Sequence, residues 1–172
     1  WPMAHDGGIR KPIIKAGEPG ELRAEHETLG KFHLFAEPQG NQPPQFLFTE
    51  NETNVWQLED PKSKRPSCKD AFHMYLVDGL KSAVNRTPSG TKAAAVYKLK
   101  LAAGEEQVIR MRLVREDLVP QEPFGERFEQ IRSLRLREAD EFYQEKVNPG
   151  ISADERRVLR QACAGLLWTK QF

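Results

Sequence analysis

The chain has 172 residues and a formal net charge of +1, so it suits one domain, or one domain with part of another. A charge balance this close to zero argues against nucleic-acid binding, which ordinarily needs a clustered basic face. No stretch approaches the roughly 20 apolar residues of a membrane span, and the opening residues lack the pattern of a signal peptide. Cys68 and Cys163 form no CxxC pair, which favours two free thiols and a cytoplasmic location over a zinc site or disulfide framework.

The first two thirds of the sequence predict strands and loops. Residues 7–30 are rich in glycine, proline and charge, and we expect them to be mostly loop. Short runs at 31–37 and 46–49 are typical of strands, because prolines and a glycine lie beside them. The stretch 70–77 has helical spacing but residue types that also suit a strand, so both assignments stay open.

Two alternating runs lie on either side of a glycine turn at 102–105. The runs cover 93–101 and 107–114, and this pattern predicts a β-hairpin. In the second run Arg110 and Arg112 share one face, and Met111 and Leu113 share the other. We expect the arginine-bearing face to contact solvent or another domain.

From Glu126 onward the apolar period becomes helical. The pattern predicts an amphipathic helix that ends before the Asn-Pro-Gly stop at 148–150. Ser152 and Glu155 have the spacing of a capping box, which predicts the start of a second helix. That helix carries an apolar stripe to the last residues, with no closing glycine or proline. Its members are Val158, Leu159, Ala162, Leu166 and Thr169.

The order of these elements predicts an α+β fold, with a partial antiparallel β-sandwich followed by two α-helices. The expected divisions are a β-sandwich portion at 1–119, a linker with its helix at 120–150, and a further helix at 151–172. Because the sequence opens on Trp1 and the last helix has no stop signal, we expect a segment of a longer polypeptide.

The densest polar motif is FTENETN at 48–54. Glu50, Asn51 and Glu52 could supply oxygen ligands to a hard cation. Asn and Thr side chains also satisfy their own backbone in turns, and we favour that interpretation and expect no metal site. The triplets at 51–53 and 85–87 match the glycosylation pattern, which is common by chance.

Two further motifs have chemical potential. Asp70 and His73 would share a helix face and could act as an acid–base pair, although a structural hydrogen bond is the favoured interpretation. His5 and His33 are isolated in the sequence and are expected to be ordinary surface or strand residues. Lys92, at the end of 89–92, resembles the end of a phosphate loop, but the leading glycine is missing and a strand is predicted to follow. We therefore predict no nucleotide site and no cofactor.

Trp168, Gln171 and Phe172 are the candidate substrate-binding residues. Sugars stack on aromatic faces, and an amide can hydrogen-bond hydroxyl groups. The alternative is that Trp168 and Phe172 pack in a helical core, since residues four apart share a helix face.

Motifs spread over most of the chain together resemble bacterial-type members of glycoside hydrolase family 63, the family related to processing α-glucosidase I. Each motif alone is weak, and their order and spacing carry the resemblance. They are the opening Trp1 segment, HETLGKFHLFAE at 26–37, FTENETN at 48–54, KDAFHMYLVDG at 69–79, GTKAAAVY at 90–97, PFG at 123–125, EADEFY at 138–143 and ERRVLRQACAGLLWTKQF at 155–172.

The resemblance implies a β-sandwich domain, a linker and an (α/α)6 toroid. The helix from Glu126 would then belong to the linker, and the helix from Ser152 would be the first of the toroid. It also implies inverting hydrolysis of α-glucosidic or related bonds in an oligosaccharide. Inversion uses two carboxyl groups roughly 6.5–9.5 Å apart, and the resemblance places both beyond this sequence, so no catalytic residue is assigned. The competing hypothesis is a non-catalytic, β-rich module that binds carbohydrate or protein.

Overall fold

The computed structural model describes residues 10–52, 68–146 and 150–169. The chain forms two compact units, Trp1–Phe124 and Gly125–Phe172. The described part of the first unit contains antiparallel sheets of five and two strands with a short α-helix and two 3-10 helices, Lys81–Ala83 and Glu116–Leu118. The described part of the second unit contains two long helices. The predicted α+β class is therefore confirmed.

The larger sheet contains five of the seven described strands, all antiparallel, in the order β5-β1-β2-β3-β7. The smaller sheet pairs β4 with β6. In chain order the strands are β1 Ile13–Ala16, β2 Glu21–His26, β3 Gly30–Ala36, β4 Gln45–Thr49, β5 Ser89–Gly90, β6 Lys92–Val96 and β7 Met111–Arg115.

The predicted loop at 7–30 is wrong, because β1 and β2 both lie within it. In β2 the charged residues Glu21, Arg23 and Glu25 alternate with Leu22 and Ala24. Alternation sends these two sets to opposite faces of the sheet, so a strand can carry many charges and still bury one face. The loop prediction relied on the content of glycine, proline and charged residues, and it overlooked the alternation of charged and apolar residues in β2.

One face of the larger sheet is apolar and the other is largely polar. Leu22 pairs with Leu34, which pairs in turn with Leu113, so these three side chains share a face. Leu22 is 4% exposed and Leu113 is 64% exposed. The apolar face is therefore covered near β2 and open at β7, which has one hydrogen-bonded neighbour within the described sheet.

The predicted hairpin at 93–114 does not form. The glycine turn is present, with the Glu105 amide donating to the Ala102 carbonyl over 3.1 Å. The strands beside it nevertheless pair elsewhere, β6 with β4 and β7 with β3. Long-range ladders of five residue pairs each replace the local pairing that the turn suggested.

The predicted orientation of β7 is also wrong. Arg112 and Val114 are the half-buried residues of the strand, and Met111 and Leu113 are exposed. Arg112 tolerates this position because its guanidinium donates to the Pro123 carbonyl over 3.0 Å. A half-buried guanidinium that has a hydrogen-bond acceptor avoids much of the desolvation cost of its position.

The stretch that the sequence left open forms a helix, α1, at Ala71–Leu76. α1 packs on the smaller sheet, and the buried residues at this contact are Leu47, Ala71 and Val84. Four partly buried side chains surround them, namely Phe72, Tyr75, Ala83 and Val96. This small cluster explains why 70–77 resembles both element types, because a short helix here must bury aromatic residues against a sheet.

Residues 89–96 connect the two sheets. β5 pairs with β1 in the larger sheet, and β6 pairs with β4 in the smaller one. At the change of partner, the Thr91 amide donates to the Thr49 carbonyl over 3.1 Å. Gly90 permits this crossing, because a Cβ atom there would lie 2.5 Å from the Thr49 carbonyl oxygen.

The second unit contains α2, Glu126–Lys146, and α3, Ala153–Trp168. Both predicted helices are thus present, and the predicted capping box is confirmed. The Glu155 amide donates to the Ser152 hydroxyl, and the Ser152 amide donates to the Glu155 carboxylate. None of the described helices is long and apolar enough to cross a membrane.

Candidate functional site

Trp168, the first candidate substrate-binding residue, is the last residue of α3 and is 91% exposed. Gln171 and Phe172 lie outside the residues that the structure describes. The structure therefore places one of the three candidates, on an open helix end. An exposed indole offers a flat apolar face and an N–H donor, the groups that a sugar ring would need.

The two long helices contact each other through the polar part of α3. The Arg160 guanidinium pairs with the Asp140 carboxylate and lies over the Tyr143 ring, 5.0 Å from its centroid. C-terminal to this contact, the side chains of α3 are largely exposed to solvent. Leu166 and Leu167 are each 79% exposed, and neither long helix contains a buried residue among those described.

The start of the FTENETN motif is hydrogen-bonded to a distant segment, residues 85–91. The Glu50 carboxylate accepts hydrogen bonds from the Thr91 hydroxyl at 2.8 Å and the Asn85 amide at 3.3 Å. The Thr91 hydroxyl also accepts from the Asn51 amide nitrogen over 2.7 Å. The favoured interpretation, a turn satisfied by its own side chains, is therefore wrong for this part, because the hydroxyl comes from 40 residues away.

The two carboxylates of this motif serve different partners. Glu50 contacts Asn85 and Thr91, whereas Glu52 accepts from the Lys11 ammonium at 2.5 Å. Within the ranges described, no group of three or more His, Cys, Asp or Glu side chains could hold a metal ion. The Asn85 amide is occupied as well, because it also donates to the Ser89 carbonyl over 2.8 Å. The glycosylation triplet at 85–87 thus has its asparagine in a structural network.

Thr49 is the most deeply buried residue of this region, at 0% exposure, and its hydroxyl donates to the Cys68 carbonyl over 2.7 Å. We expect Thr49→Val to lower the free energy of unfolding by about 1 kcal/mol, the net value of one buried hydrogen bond. Urea denaturation followed by circular dichroism measures this. The exposed Thr87→Val is the matched control, and an equal loss in both variants would contradict the assignment.

The other two motifs show no site chemistry. Asp70 precedes α1 and its side chain makes no capping bond, while His73 is exposed. Among the described residues no side-chain hydrogen bond of Asp70 caps α1, and the favoured interpretation, a structural hydrogen bond to His73, is not confirmed. Lys92 is the first residue of β6, so the strand predicted to follow residues 89–92 is present.

The sequence interpretation missed a polar cluster at Glu21, Arg23 and His33. Glu21 is 5% exposed, and one of its carboxylate oxygens lies 2.5 Å from Nδ1 of His33. Arg23 donates to both oxygens at 3.1–3.2 Å, and the Glu18 amide donates at 2.9 Å. Burial by itself would raise the pKa of Glu21, but these hydrogen bonds outweigh it and lower the pKa from 4.5 to about 2.

A second cluster forms around Glu37. The Arg110 guanidinium donates to both of its carboxylate oxygens, which lowers the pKa of Glu37 despite partial burial. The Tyr97 hydroxyl donates to the Glu37 carbonyl over 2.9 Å. Arg110 also lies 5.8 Å from the centroid of the Phe124 ring. Together with the bond from Arg112 to Pro123, this contact fixes the segment that ends the first unit.

The charges of these clusters indicate a structural role. A general acid needs a raised pKa, whereas Glu21 and Glu37 both have lowered ones. Each is held ionised by an arginine that would have to release it before any proton transfer. Glu21 and Glu37 therefore act as ion-pair partners in the first unit, and neither has the raised pKa of a general acid.

A search of curated proteins found one significant similarity. The chain is 39% identical over 143 residues to a protein of Saccharomyces cerevisiae named uncharacterized protein YMR196W. The match covers 75% of this chain but spans only 13% of the length of the yeast protein. No family profile matches the chain. No solved structure matches it significantly.

Proposed function

We propose that this chain is part of an inverting glycosidase of the family 63 type, acting on α-glucosidic or related linkages of an oligosaccharide. In this proposal the chain contributes the β-sandwich portion, the linker helix α2 and the first toroid helix α3. The paired carboxyl groups that inversion requires come from other parts of the enzyme, so the chain alone is inactive. The motifs quoted above and the order of sheets and helices support this assignment.

The observation that carries the proposal is the absence of burial in the second unit. Neither α2 nor α3 has a buried residue among those described. Even their large apolar residues are exposed, at 41–54% for Ile131, Leu136, Phe142 and Leu159. Two amphipathic helices in this state lack the packing that stabilises helices in proteins. A larger helical assembly would cover them, in keeping with a relative of which this segment is a small share.

We also propose a cytoplasmic location. Cys68 is buried, Cys163 is partly exposed, and both are free thiols. Free thiols are typical of reducing compartments.

The test uses the full-length yeast relative and a chimera in which this chain replaces the matched segment. We expect both to hydrolyse α-linked glucose disaccharides and to release the β-anomer first, because inversion reverses the configuration. Proton NMR recorded during the first minutes of reaction distinguishes the anomers. The 172-residue chain alone is the control and should be inactive.

Two outcomes would contradict the proposal. Release of the α-anomer, or no hydrolysis of any α-glucoside by the folded full-length proteins, removes the assigned activity. Binding of oligosaccharides to the isolated chain, measured by calorimetry, would instead favour a non-catalytic carbohydrate-binding module.

A further inference from the structure

The turn that follows α1 contains an aspartate directly before a glycine, Asp78 and Gly79. Both residues are exposed, and Gly79 has a φ of 72°. Glycine is the residue that adopts this left-handed region most readily. The Asp78 carboxyl group and the Gly79 amide are thus neighbours in an open turn, and no side chain at position 79 shields them.

Neither of these two groups has a hydrogen-bond partner among the described residues. The Gly79 amide donates to no acceptor there, whereas the next amide, of Leu80, donates to the Met74 carbonyl over 2.9 Å. No ion pair within the described ranges holds the Asp78 carboxylate. Both groups are therefore available for reaction without the loss of an existing bond.

A free aspartyl carboxyl group beside a glycine amide can react with the backbone. The Gly79 nitrogen attacks the side-chain carboxyl carbon of Asp78, a C–N bond forms, and the amide proton and the carboxyl hydroxyl leave together as water. The resulting five-membered succinimide then takes up water at one of its two carbonyl carbons. One site of hydrolysis restores aspartate, and the other gives isoaspartate, in which the main chain passes through the former side chain.

We propose that Asp78 and Gly79 form a site of spontaneous isomerisation, at which the folded chain passes through a succinimide to isoaspartate. Water is the only other reactant, and the sequence of steps returns the water that it releases. The reacting atoms belong to adjacent residues of one turn, so the inference is independent of the proposed function.

The other described aspartates lack this combination of features. Three of them are paired with arginines, namely Asp117, Asp140 and Asp154. Asp70 precedes Ala71, whose amide donates to the Cys68 carbonyl over 3.0 Å. The Cβ atom of Ala71 hinders attack, and its amide would first have to give up its acceptor. Asp70 is therefore a matched control for Asp78.

Isoaspartate would lengthen the main chain inside a hydrogen-bonded turn. The bond from the Leu80 amide to the Met74 carbonyl closes a loop that contains Asp78 and Gly79. Isoaspartate adds one carbon atom to the main chain of this loop, so we expect the bond to weaken. The Leu80 amide should then exchange its hydrogen faster with solvent.

Incubation of the full chain in oxygen-18 water tests the proposal, because each hydrolysis of the succinimide adds one heavy oxygen. The tryptic peptide 70–81 contains both Asp70 and Asp78, and electron-transfer dissociation assigns the label and the isoaspartate to one of them. We expect both signals at Asp78 and neither at Asp70. A second pair, Asp6 and Gly7, lies outside the described residues and falls in a separate peptide.

Two variants identify the reacting groups. Asp78→Glu keeps the charge but would require a less favoured six-membered ring, so it should give no isomerised product. Gly79→Asn adds a Cβ atom, which would meet nothing within 4 Å, and asparagine tolerates a positive φ. This variant should react at least about tenfold more slowly, which corresponds to about 1.4 kcal/mol in the barrier.

Three results would overturn the proposal. The first is a chain without label or isoaspartate at Asp78, and the second is equal labelling of Asp70. The third is an unchanged rate in Gly79→Asn, because the bare glycine amide would then not control the reaction. Unaltered exchange of the Leu80 amide in the isomerised chain would contradict the expected effect on the turn.

Discussion

Replacing Glu21 by glutamine should lower the free energy of unfolding at pH 7 by at most about 3 kcal/mol, from the cluster that holds its carboxylate. Glutamine keeps the size of the side chain but removes the charge that faces Arg23 and His33. Because Glu21 is 5% exposed, water can replace little of the lost interaction. Equilibrium urea denaturation, followed by circular dichroism, measures the loss.

The same substitution should flatten the pH dependence of stability. The pKa of Glu21 is about 2 in the folded chain against an ordinary value of 4.5, so the folded state binds its proton less readily. Its stabilising contribution is therefore complete above pH 4.5 and is lost as the pH falls from 4.5 towards 2. Wild-type chain should lose stability over this interval, and Glu21→Gln should lose less.

Glu25 is the matched control, since it lies on the same face of β2 and is exposed. Glu25→Gln should change the unfolding free energy by less than about 0.5 kcal/mol. Equal effects of the two substitutions, or an unaltered acid transition in Glu21→Gln, would show that the Glu21 cluster does not stabilise the sheet.

The second large effect is expected from Gly90→Ala, which should lower the free energy of unfolding by about 3 kcal/mol. A Cβ atom at this position would lie 2.5 Å from the Thr49 carbonyl oxygen and 3.1 Å from the Thr49 amide nitrogen. Both are backbone atoms within a ladder, so neither can move aside without breaking the pairing of β4. Thermal and urea unfolding of the full chain measure the effect.

Gly165→Ala is the opposite control. Nothing lies within 4 Å of a Cβ atom there, and alanine is favoured over glycine in a helix by about 1 kcal/mol. Helical circular dichroism should therefore rise in this variant. A Gly90→Ala chain as stable as the wild type would mean that the strand crossing relaxes without cost.

Local signals in the sequence predicted the helices well. The change of period at Glu126 and the Ser152–Glu155 capping box both depend on residues three or four apart, which contact one another in any helix. Such elements need little information from the rest of the chain.

The sheet was harder to predict because its partners are distant. β3 pairs with β7 across 75–83 positions of the sequence. No residue near β7 favours this distant partner over β6, which lies just before the glycine turn. The Glu21 cluster was missed for a related reason. Glu21 and His33 meet through the register of β2 with β3, and a charged loop was expected where β2 forms.

The candidate substrate-binding residues were chosen by residue type, because aromatic rings stack on sugars and an amide can hydrogen-bond hydroxyl groups. The aromatic residue type identified Trp168, and the structure adds its exposure of 91%. Spacing predicts helix faces, but it does not say what will cover a face, because the covering residues lie elsewhere in sequence. Arg110 and Arg112 show the same difficulty, since their acceptors at Glu37 and Pro123 come from other segments.

The passage of residues 89–96 from one sheet to the other has a mechanical consequence. One short stretch of backbone serves as an edge strand for β1 and, two residues later, as the sole described partner of β4. Unfolding of either sheet would disrupt the strand segment that it shares with the other sheet, so we expect both sheets to unfold in one cooperative transition. A proteolytic nick at Thr91 should therefore weaken the coupling between the two sheets.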